Sequence, residues 1–338
     1  MRERQFQEEV RYFNRKLTEV IEQKMRRCSN KILNDALNYI MATGGKRLRP
    51  IICLLSAEAV GGSRDKALST AIAIELLHNA SLVHDDIIDE NSIRRRNPSN
   101  PARYGEKRAI VIGDFLFGLS CEMLARCEVP EVVGLVSSAV SDVAMGQYLE
   151  FMLRKRNLQE VSESAYLEVA ALKTASTFIA STETGAILGG GSEVEIEKLC
   201  NYGKNLGMAF QIQDDVLDIC GDPAKTGKPV GLDIKNGERT ILIIHALNHS
   251  HPSEKEYISE VLSKKKDISS SDIERVRRIF INSSSINYAI RLSNELIRGA
   301  KSCIEGLEDS EAKEKLKDIA DFAAERIEKQ ALAEFIKV

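Results

Sequence analysis

The sequence predicts an all-α protein. Only 7 of its 338 residues are proline, so long stretches can remain helical without interruption. Apolar residues recur with helical spacing, and the alternation of β-branched residues that is typical of strands is missing. Because 43% of the residues are hydrophobic, the chain can bury a sizeable core. We therefore expect a helical bundle around a deep central cavity, which would suit a ligand.

Glycine and proline divide the chain into its predicted helices. Gly44-Gly45 ends the second helix, Pro50 fits the first turn of the third, and Gly61-Gly62 closes it at Val60. Two loops rich in glycine, proline or small polar residues cover 94–104 and 221–237. The other predicted helices cover residues 4–25, 28–41, 65–91, 108–127, 131–156, 162–188 and 193–220, followed by shorter helices and a charged amphipathic one over 309–336.

Composition narrows the class of protein. No repeat or low-complexity linker divides residues 1–338, which predicts a single domain. A net charge of -3 argues against a nucleic-acid partner. The charged N-terminus and the lack of about 18 uninterrupted apolar residues predict neither a signal peptide nor a transmembrane segment. The seven cysteines include no C-x-x-C pair, so we expect reduced thiols and a cytoplasmic location.

Two acidic motifs of the form Asp-Asp-x-x-Asp stand in otherwise apolar helices. Fewer than about 0.1 such motifs are expected by chance in a chain of average composition. Like charges at this spacing destabilise a helix, so a cation should neutralise them. Carboxylate oxygens without clustered Cys or His favour Mg²⁺, which keeps coordination positions for phosphate oxygens. We therefore predict a magnesium-bound diphosphate and the metal residues Asp85, Asp86, Asp89, Asp214, Asp215 and Asp218.

Basic segments accompany the acidic motifs. Arg94-Arg95-Arg96 follows the first motif, and a loop with Lys225, Lys228 and Lys235 follows the second. The segment 44–50 carries three more cations just before a predicted helix N-terminus, which favours anions. Each cluster alone is more often solvated surface. Together they fit two anionic substrates, one held through metal and one held by side chains.

At this point the sequence resembles the trans-isoprenyl diphosphate synthase family. The resemblance implies the isoprenoid-synthase fold, a homodimer and Mg²⁺. It also implies two substrates, isopentenyl diphosphate and an allylic diphosphate. The resembling segments are GGKRLRP at 44–50, DDIIDENSIRRRNPS at 85–99, GD at 113–114, MGQ at 145–147, KTAS at 173–176, FQIQDDVLD at 210–218, GDPAKTGKPVGLDI at 221–234 and HAL at 245–247.

The same resemblance implies roles for individual residues. Asp85, Asp89 and Asp214 would hold the metals, with the other three motif aspartates in support. Arg94, Lys173 and Lys228 would bind the allylic diphosphate, and Thr174 and Gln211 would stabilise a carbocation. Isopentenyl diphosphate would bind Lys46, Arg49, His78 and Arg95. The chain departs from the family pattern at Arg96, where glycine is usual, and at Glu238, where a lysine is usual.

Three residues before the first motif bear on product length. Ser81 lies one turn before Asp85, and Leu77 and Ala80 lie nearby on the same predicted helix. In short-chain members of the family a Phe or Tyr near these positions blocks the growing tail. Since Ala80 and Ser81 are small, we predict a product longer than geranylgeranyl diphosphate. A geranylgeranyl or farnesyl diphosphate synthase is the alternative.

Other functions remain open from the sequence. A terpene cyclase would usually carry a different second acidic motif, and the GGKRLRP segment argues against a squalene-type enzyme. A non-catalytic regulatory subunit is suggested by Glu238 alone. A purely structural helical protein would leave the clustered charges unexplained. A metal site at His245, His249 and His251 is less expected than a helix end at the surface.

Overall fold

The computed structural model describes residues 3–26, 30–226, 229–264 and 267–331. In the order of the chain, its helices are α1 (Glu3–Met25), α2 (Lys31–Ala42), α3 (Leu48–Ala59), α4 (Arg64–Ile88), α5 (Asn100–Tyr104), α6 (Glu106–Leu124), α7 (Pro130–Lys155), α8 (Glu163–Ala170), α9 (Ser176–Gly189), α10 (Glu193–Cys220), α11 (Pro223–Thr226), α12 (Leu232–Asn236), α13 (Ile241–His249), α14 (Pro252–Ser263), α15 (Ser270–Asn282), α16 (Ser285–Cys303), α17 (Glu311–Ala324) and α18 (Arg326–Gln330).

The all-helical prediction is confirmed, and the differences are local. The predicted loop at 94–104 contains a hairpin of two-residue strands, β1 (Ile93–Arg94) and β2 (Asn97–Pro98), followed by α5. The predicted helix at 162–188 is interrupted by a π-helical turn at Ala171–Ala175. The last predicted helix is divided into α17 and α18, and its predicted end at 336 lies outside the described residues. His251 caps α14 with its side chain, in agreement with a helix end at the surface.

The described residues form two compact units. The first contains 1–140, 179–201 and 304–319. Its hydrophobic core includes Phe13 of α1, Leu37 of α2, Leu76 of α4 and Leu116 of α6. Ser63 caps the N-terminus of α4, and the helix runs for 25 residues to the first acidic motif. A long capped helix, buried on every side through residues 70–76, thus carries Asp85 and Asp86 at its C-terminal end.

The second unit contains 141–178, 202–303 and 320–338. Its core includes Ile212 and Val216 of α10, Ile243 of α13 and Phe280 of α15. These two α10 residues are spaced by one helical turn and are fully buried, so the opposite side of that turn is left for Asp214 and Asp218. The hydroxyl of Thr240 caps α13 directly after the loop at 221–237.

Among the described residues, α7 alone is long and apolar enough to cross a membrane by length and composition. Its most apolar 18-residue window has a mean hydropathy of 1.3. Met145, Tyr148 and Met152 recur at helical spacing on this helix and are exposed. Exposed apolar residues of this kind also suit a contact with another protein chain.

Candidate active site

The first acidic motif stands where α4 ends. The Asp86 carboxylate is 1% exposed and accepts a hydrogen bond from Arg94 Nε at 2.7 Å. Asp85 and Asp89 lie one turn apart and are half-buried, and Asp89 is the C-cap residue of α4. A helix C-terminus carries partial negative charge, which disfavours carboxylates. The end of α4 therefore concentrates negative charge, and Arg94 offsets part of this charge at the buried Asp86.

The hairpin after this motif presents a basic turn. Arg94 pairs with Asn97, and Arg95 and Arg96 between them have φ values of +51° and +65°. Two consecutive positive φ angles define a type I′ turn, which usually contains glycine or asparagine. The Arg95 guanidinium packs against Gly45, where a Cβ atom would lie 2.8 Å from Nη1. Gly45 therefore leaves room for Arg95 to lie against the segment 44–50.

A dense basic cluster surrounds His78 in the same unit. Arg49 Nη1 lies 3.4 Å from His78 Nε2. Burial lowers the pKa of His78 well below its usual value, and Arg49 and Arg95 lower it further. Burial likewise lowers the pKa of Arg95 to about 10. A neutral imidazole among guanidinium groups fits an anion-binding site, because the bound anion would relieve the repulsion between the cations.

Not every cation of the segment 44–50 belongs to this cluster in the same way. The Arg47 side chain is 1% exposed and forms a 2.6 Å ion pair with Glu75. It also donates to Asn14 Oδ1 and to the Met41 carbonyl. Arg47 thus ties α1, α2 and α4 together, whereas Lys46 and Arg49 are half-buried. Of the three cations, the resemblance assigns only Lys46 and Arg49 to isopentenyl diphosphate.

Lys173 and Thr174 stand on the π-helical turn between α8 and α9. α7 passes this turn at Gly146, where a Cβ atom would lie only 2.5 Å from Lys173 N. α10 passes it at Gly207, where a Cβ atom would lie 2.6 Å from Ala175 Cα. Single π-helical turns inside α-helices are frequent at functional sites. Two glycines on neighbouring helices thus allow the backbone to approach the widened turn closely.

A hydrogen-bond chain joins this turn to the second acidic motif. Thr174 Oγ1 donates to Gln211 Oε1 at 2.6 Å, and Gln211 Nε2 donates to Asp215 Oδ1 at 2.9 Å. Asp215 is 2% exposed, and burial raises its pKa. Its second oxygen accepts from the backbone N–H of Ile241. The chain fixes the Gln211 amide with its oxygen toward Thr174.

The remaining motif aspartates have different surroundings. Asp218 accepts hydrogen bonds from the backbone N–H groups of Leu232 and Asp233, both at 3.1 Å, and so holds the loop that follows. The Asp214 side chain is 55% exposed and forms an ion pair with Arg326 of α18. Of the second motif, Asp215 and Asp218 support the protein chain, and Asp214 is the member open to solvent.

The predicted residues fit a hard divalent cation by donor chemistry. Half-buried Asp85 and Asp89 and exposed Asp214 offer carboxylate oxygens, which Mg²⁺ prefers. In the part of the chain that the structure describes, no three His, Cys, Asp or Glu side chains form a metal site on their own. Lys228 lies outside the described residues.

The three residues expected to control product length lie on α4. Ala80 is fully buried in the hydrophobic core of the first unit, and Leu77 is half-buried against it. The Ser81 hydroxyl donates to the His78 carbonyl at 2.9 Å. The small size of Ala80 and Ser81 is compatible with the prediction of a long product. Because Ala80 is fully buried, a larger side chain at this position would have to displace its neighbours.

Sequence reasoning missed Glu150 and Arg154 on α7. Glu150 Oε2 accepts hydrogen bonds from Lys173 Nζ at 2.8 Å and from Gln147 Nε2 at 2.9 Å. Arg154 forms an ion pair with Glu238. The spacing of Gln147, Glu150 and Arg154 at three and four residues on an apolar helix was an available signal. No local pattern in the sequence indicated that Arg154 would pair with Glu238, because the two residues lie 84 positions apart.

The helical fold and the paired acidic motifs are those of an isoprenoid synthase. The chain belongs to the polyprenyl synthetase family, whose model matches residues 30–280, and it is a prenyltransferase. It is 38% identical to the short chain isoprenyl diphosphate synthase of Methanothermobacter thermautotrophicus, over 94% of this chain and 99% of that protein.

Two further relatives extend the comparison. The octaprenyl diphosphate synthase of Haemophilus influenzae is 32% identical, over 85% of this chain and 86% of that one. The polyprenyl synthase of Caulobacter crescentus, in complex with calcium and isoprenyl diphosphate, superposes with a TM-score of 0.87 at 30% identity. This superposition covers 95% of each chain. Relatives of this chain therefore include both short-chain and long-chain enzymes.

Proposed function

We propose that the protein is an all-trans polyprenyl diphosphate synthase that condenses isopentenyl diphosphate with an allylic diphosphate, assisted by Mg²⁺. The observation that carries the proposal is the pairing of each acidic motif with cations or polar donors suited to diphosphates. In the first unit these are Arg49, His78 and Arg95, and in the second Lys173 and Thr174. The family to which the chain belongs supports the same reaction class.

In this proposal Asp85, Asp89 and Asp214 hold the metals. When bound, Mg²⁺ would stabilise the negative charge of the departing diphosphate. Asp86, Asp215 and Asp218 act through the protein. Asp86 holds Arg94, Asp215 orients Gln211, and Asp218 fixes the loop at 232–233. This division explains why only some members of the two motifs are accessible.

Lys46, Arg49, His78 and Arg95 bind the diphosphate of isopentenyl diphosphate. The lowered pKa of His78 keeps the imidazole neutral, so one ring N–H can donate to a phosphate oxygen without adding a further charge to the cluster. Guanidinium groups give bidentate hydrogen bonds to the same group. This substrate is thus held by side chains alone and keeps its diphosphate during the reaction.

Arg94, Lys173 and Lys228 hold the allylic diphosphate, which leaves as the allylic C–O bond breaks. The Gln211 amide oxygen and the Thr174 hydroxyl oxygen face each other and supply lone pairs that stabilise the allylic cation. The double bond of isopentenyl diphosphate then forms the new C–C bond. The released diphosphate accepts the proton that is lost, so the protein needs no separate base.

For the product, we propose a chain longer than geranylgeranyl diphosphate, because Ala80 and Ser81 are small. A shorter product is the second candidate, favoured by the 38% identity to an enzyme described as short chain. We also propose that 1–338 is one synthase domain, since the match to that enzyme covers 94% of the chain. The cytoplasmic location that we propose rests on the reduced thiols expected of its cysteines. The exposed residues Met145, Tyr148 and Met152 of α7 support a homodimer.

A condensation assay tests the proposal. The purified protein would receive radiolabelled isopentenyl diphosphate, Mg²⁺ and, in turn, dimethylallyl, geranyl, farnesyl or geranylgeranyl diphosphate. Magnesium-dependent products beyond 20 carbons are expected, with chromatography giving their length. A product that stops at 15 or 20 carbons would support the second candidate. No incorporation from folded protein with any primer would refute catalysis and favour a regulatory subunit.

A further inference from the structure

Glu238 is bound by an arginine. Arg154 Nε donates to Glu238 Oε2 at 2.9 Å, and Arg154 Nη2 forms a second hydrogen bond to Glu238 Oε1. Two parallel bonds of this kind fix both side chains and are stronger than a single contact. The Arg239 side chain donates to the Arg154 carbonyl at 2.9 Å, which attaches the segment 237–239 to the end of α7 a second time.

The same guanidinium reaches a second carboxylate. Arg154 Nη2 lies 3.1 Å from Glu150 Oε2, and this oxygen also accepts from Lys173 Nζ at 2.8 Å. Four charged side chains therefore alternate in sign in the order Lys173, Glu150, Arg154, Glu238. Each side chain is between 13% and 22% exposed. The network is largely shielded from water, and its two cations balance its two carboxylates.

Because these four side chains are shielded from water, the balance between their positive and negative charges is important. Burial raises the pKa of Glu238, the repulsion of Glu150 raises it further, and Arg154 opposes both. Without Arg154, two carboxylates would face each other in a site proposed to hold a diphosphate. Glu150 Oε2, which accepts hydrogen bonds from Lys173, Gln147 and Arg154, would also lose one of these three donors.

We propose that Arg154 is a positioning residue for the allylic diphosphate. It neutralises Glu238 and shares Glu150 with Lys173, so that Lys173 is held in place and a carboxylate at position 238 is compatible with an anionic substrate. Glu238 in turn weakens the positive field that Arg154 would otherwise exert on the diphosphate. The inference rests on the proposed function, in which Lys173 contacts this substrate.

Three variants test the proposal by whether each one weakens or tightens the binding of pyrophosphate. Full-length wild type, R154Q, E238Q and R154Q/E238Q would be titrated with inorganic pyrophosphate in Mg²⁺ by calorimetry, with KM measured for farnesyl and for isopentenyl diphosphate. We expect R154Q to weaken pyrophosphate binding about tenfold and E238Q to tighten it about threefold. The double variant should lie between them, and only the KM for the allylic substrate should follow the series. Exposed Lys155 offers a matched control, K155Q, which should change neither value.

A network with a merely structural role would give a different pattern. Both single variants would then unfold more easily and bind pyrophosphate less tightly, so weaker binding by E238Q overturns the inference even if R154Q fails to fold. Equal changes in the two KM values would also overturn it. If the wild type binds pyrophosphate but condenses no substrate, the proposed function fails, and the binding series still decides the role of Arg154.

Discussion

Replacing Gly146 with alanine perturbs the point where α7 meets the π-helical turn. The added Cβ atom would lie 2.5 Å from Lys173 N and 2.9 Å from Lys173 Cα. Carbon atoms normally approach no closer than about 3.5 Å, so the two segments must separate by roughly 1 Å. Such overpacking costs about 1–3 kcal/mol. The higher helix propensity of alanine returns about 0.5–1 kcal/mol, so the net loss of stability in G146A should reach at most about 2.5 kcal/mol.

The expected loss of activity is larger than the loss of stability. A displacement of about 1 Å in a group that contacts substrate can lower the rate about 100-fold, and Lys173 moves with the turn. Urea denaturation would give the free energy of unfolding, and the condensation assay at saturating substrates would give kcat. Gly134 provides the control on the same helix, because its added Cβ would contact nothing within 4 Å. G134A should gain about 0.5–1 kcal/mol and keep full activity. A G146A variant as stable and as active as G134A would refute this account of the turn.

Three further predictions concern separate parts of the molecule. A80F should shorten the product in the condensation assay. Because Ala80 is enclosed, half-buried Ser81 offers the second variant, S81F, and unchanged product length in both would contradict the length hypothesis. Burial acts to raise the pKa of Glu9, but hydrogen bonds from two cationic side chains outweigh it and lower that pKa. E9Q should therefore lower the free energy of unfolding by about 1–3 kcal/mol at pH 7. This difference from wild type should fade as the pH falls below about 4.3, because the Glu9 carboxylate is then protonated. A difference of equal size at pH 7 and pH 3 would contradict a role for the ion pairs of Glu9 with Arg64 and Lys315. Finally, Arg96 has a φ of +65°, which glycine adopts without strain and alanine does not. R96G should therefore stabilise the hairpin by about 1 kcal/mol, whereas R96A should not. Equal melting temperatures for R96G and R96A would contradict backbone strain at this position.

The helices were predictable because their ends are marked locally. The bounds of α10 agree with the predicted 193–220, where a run of glycines precedes the helix and a glycine follows it. The hairpin at 93–98 was not predictable, since two-residue strands are too short for alternation to appear. The π-helical turn was missed for another reason. The turn packs closely against Gly146 and Gly207, which stand on other helices, and a local pattern does not record such contacts.

Motif residues of the site could be placed from the sequence, but their partners could not. The spacing of Asp214 and Asp218 predicted a shared helix face, and both stand on α10. Nothing in that spacing indicated that Asp218 would accept two backbone N–H groups of the loop or that Asp214 would meet Arg326. Such partnerships depend on the path of the chain between motifs, which local patterns do not record.

Charge counted along the sequence therefore gives an incomplete account of how this protein would bind anions. Arg47 stands in one of the basic segments, yet its charge is neutralised by Glu75, and the Arg47 side chain is only 1% exposed. Glu238 stands where the family usually has a lysine, yet Arg154 of a different element neutralises its charge. In both cases burial makes the pairing nearly obligatory, because an unpaired buried charge costs several kcal/mol. The cations left over after such pairing, rather than the total number, determine how strongly a site of this kind attracts a diphosphate.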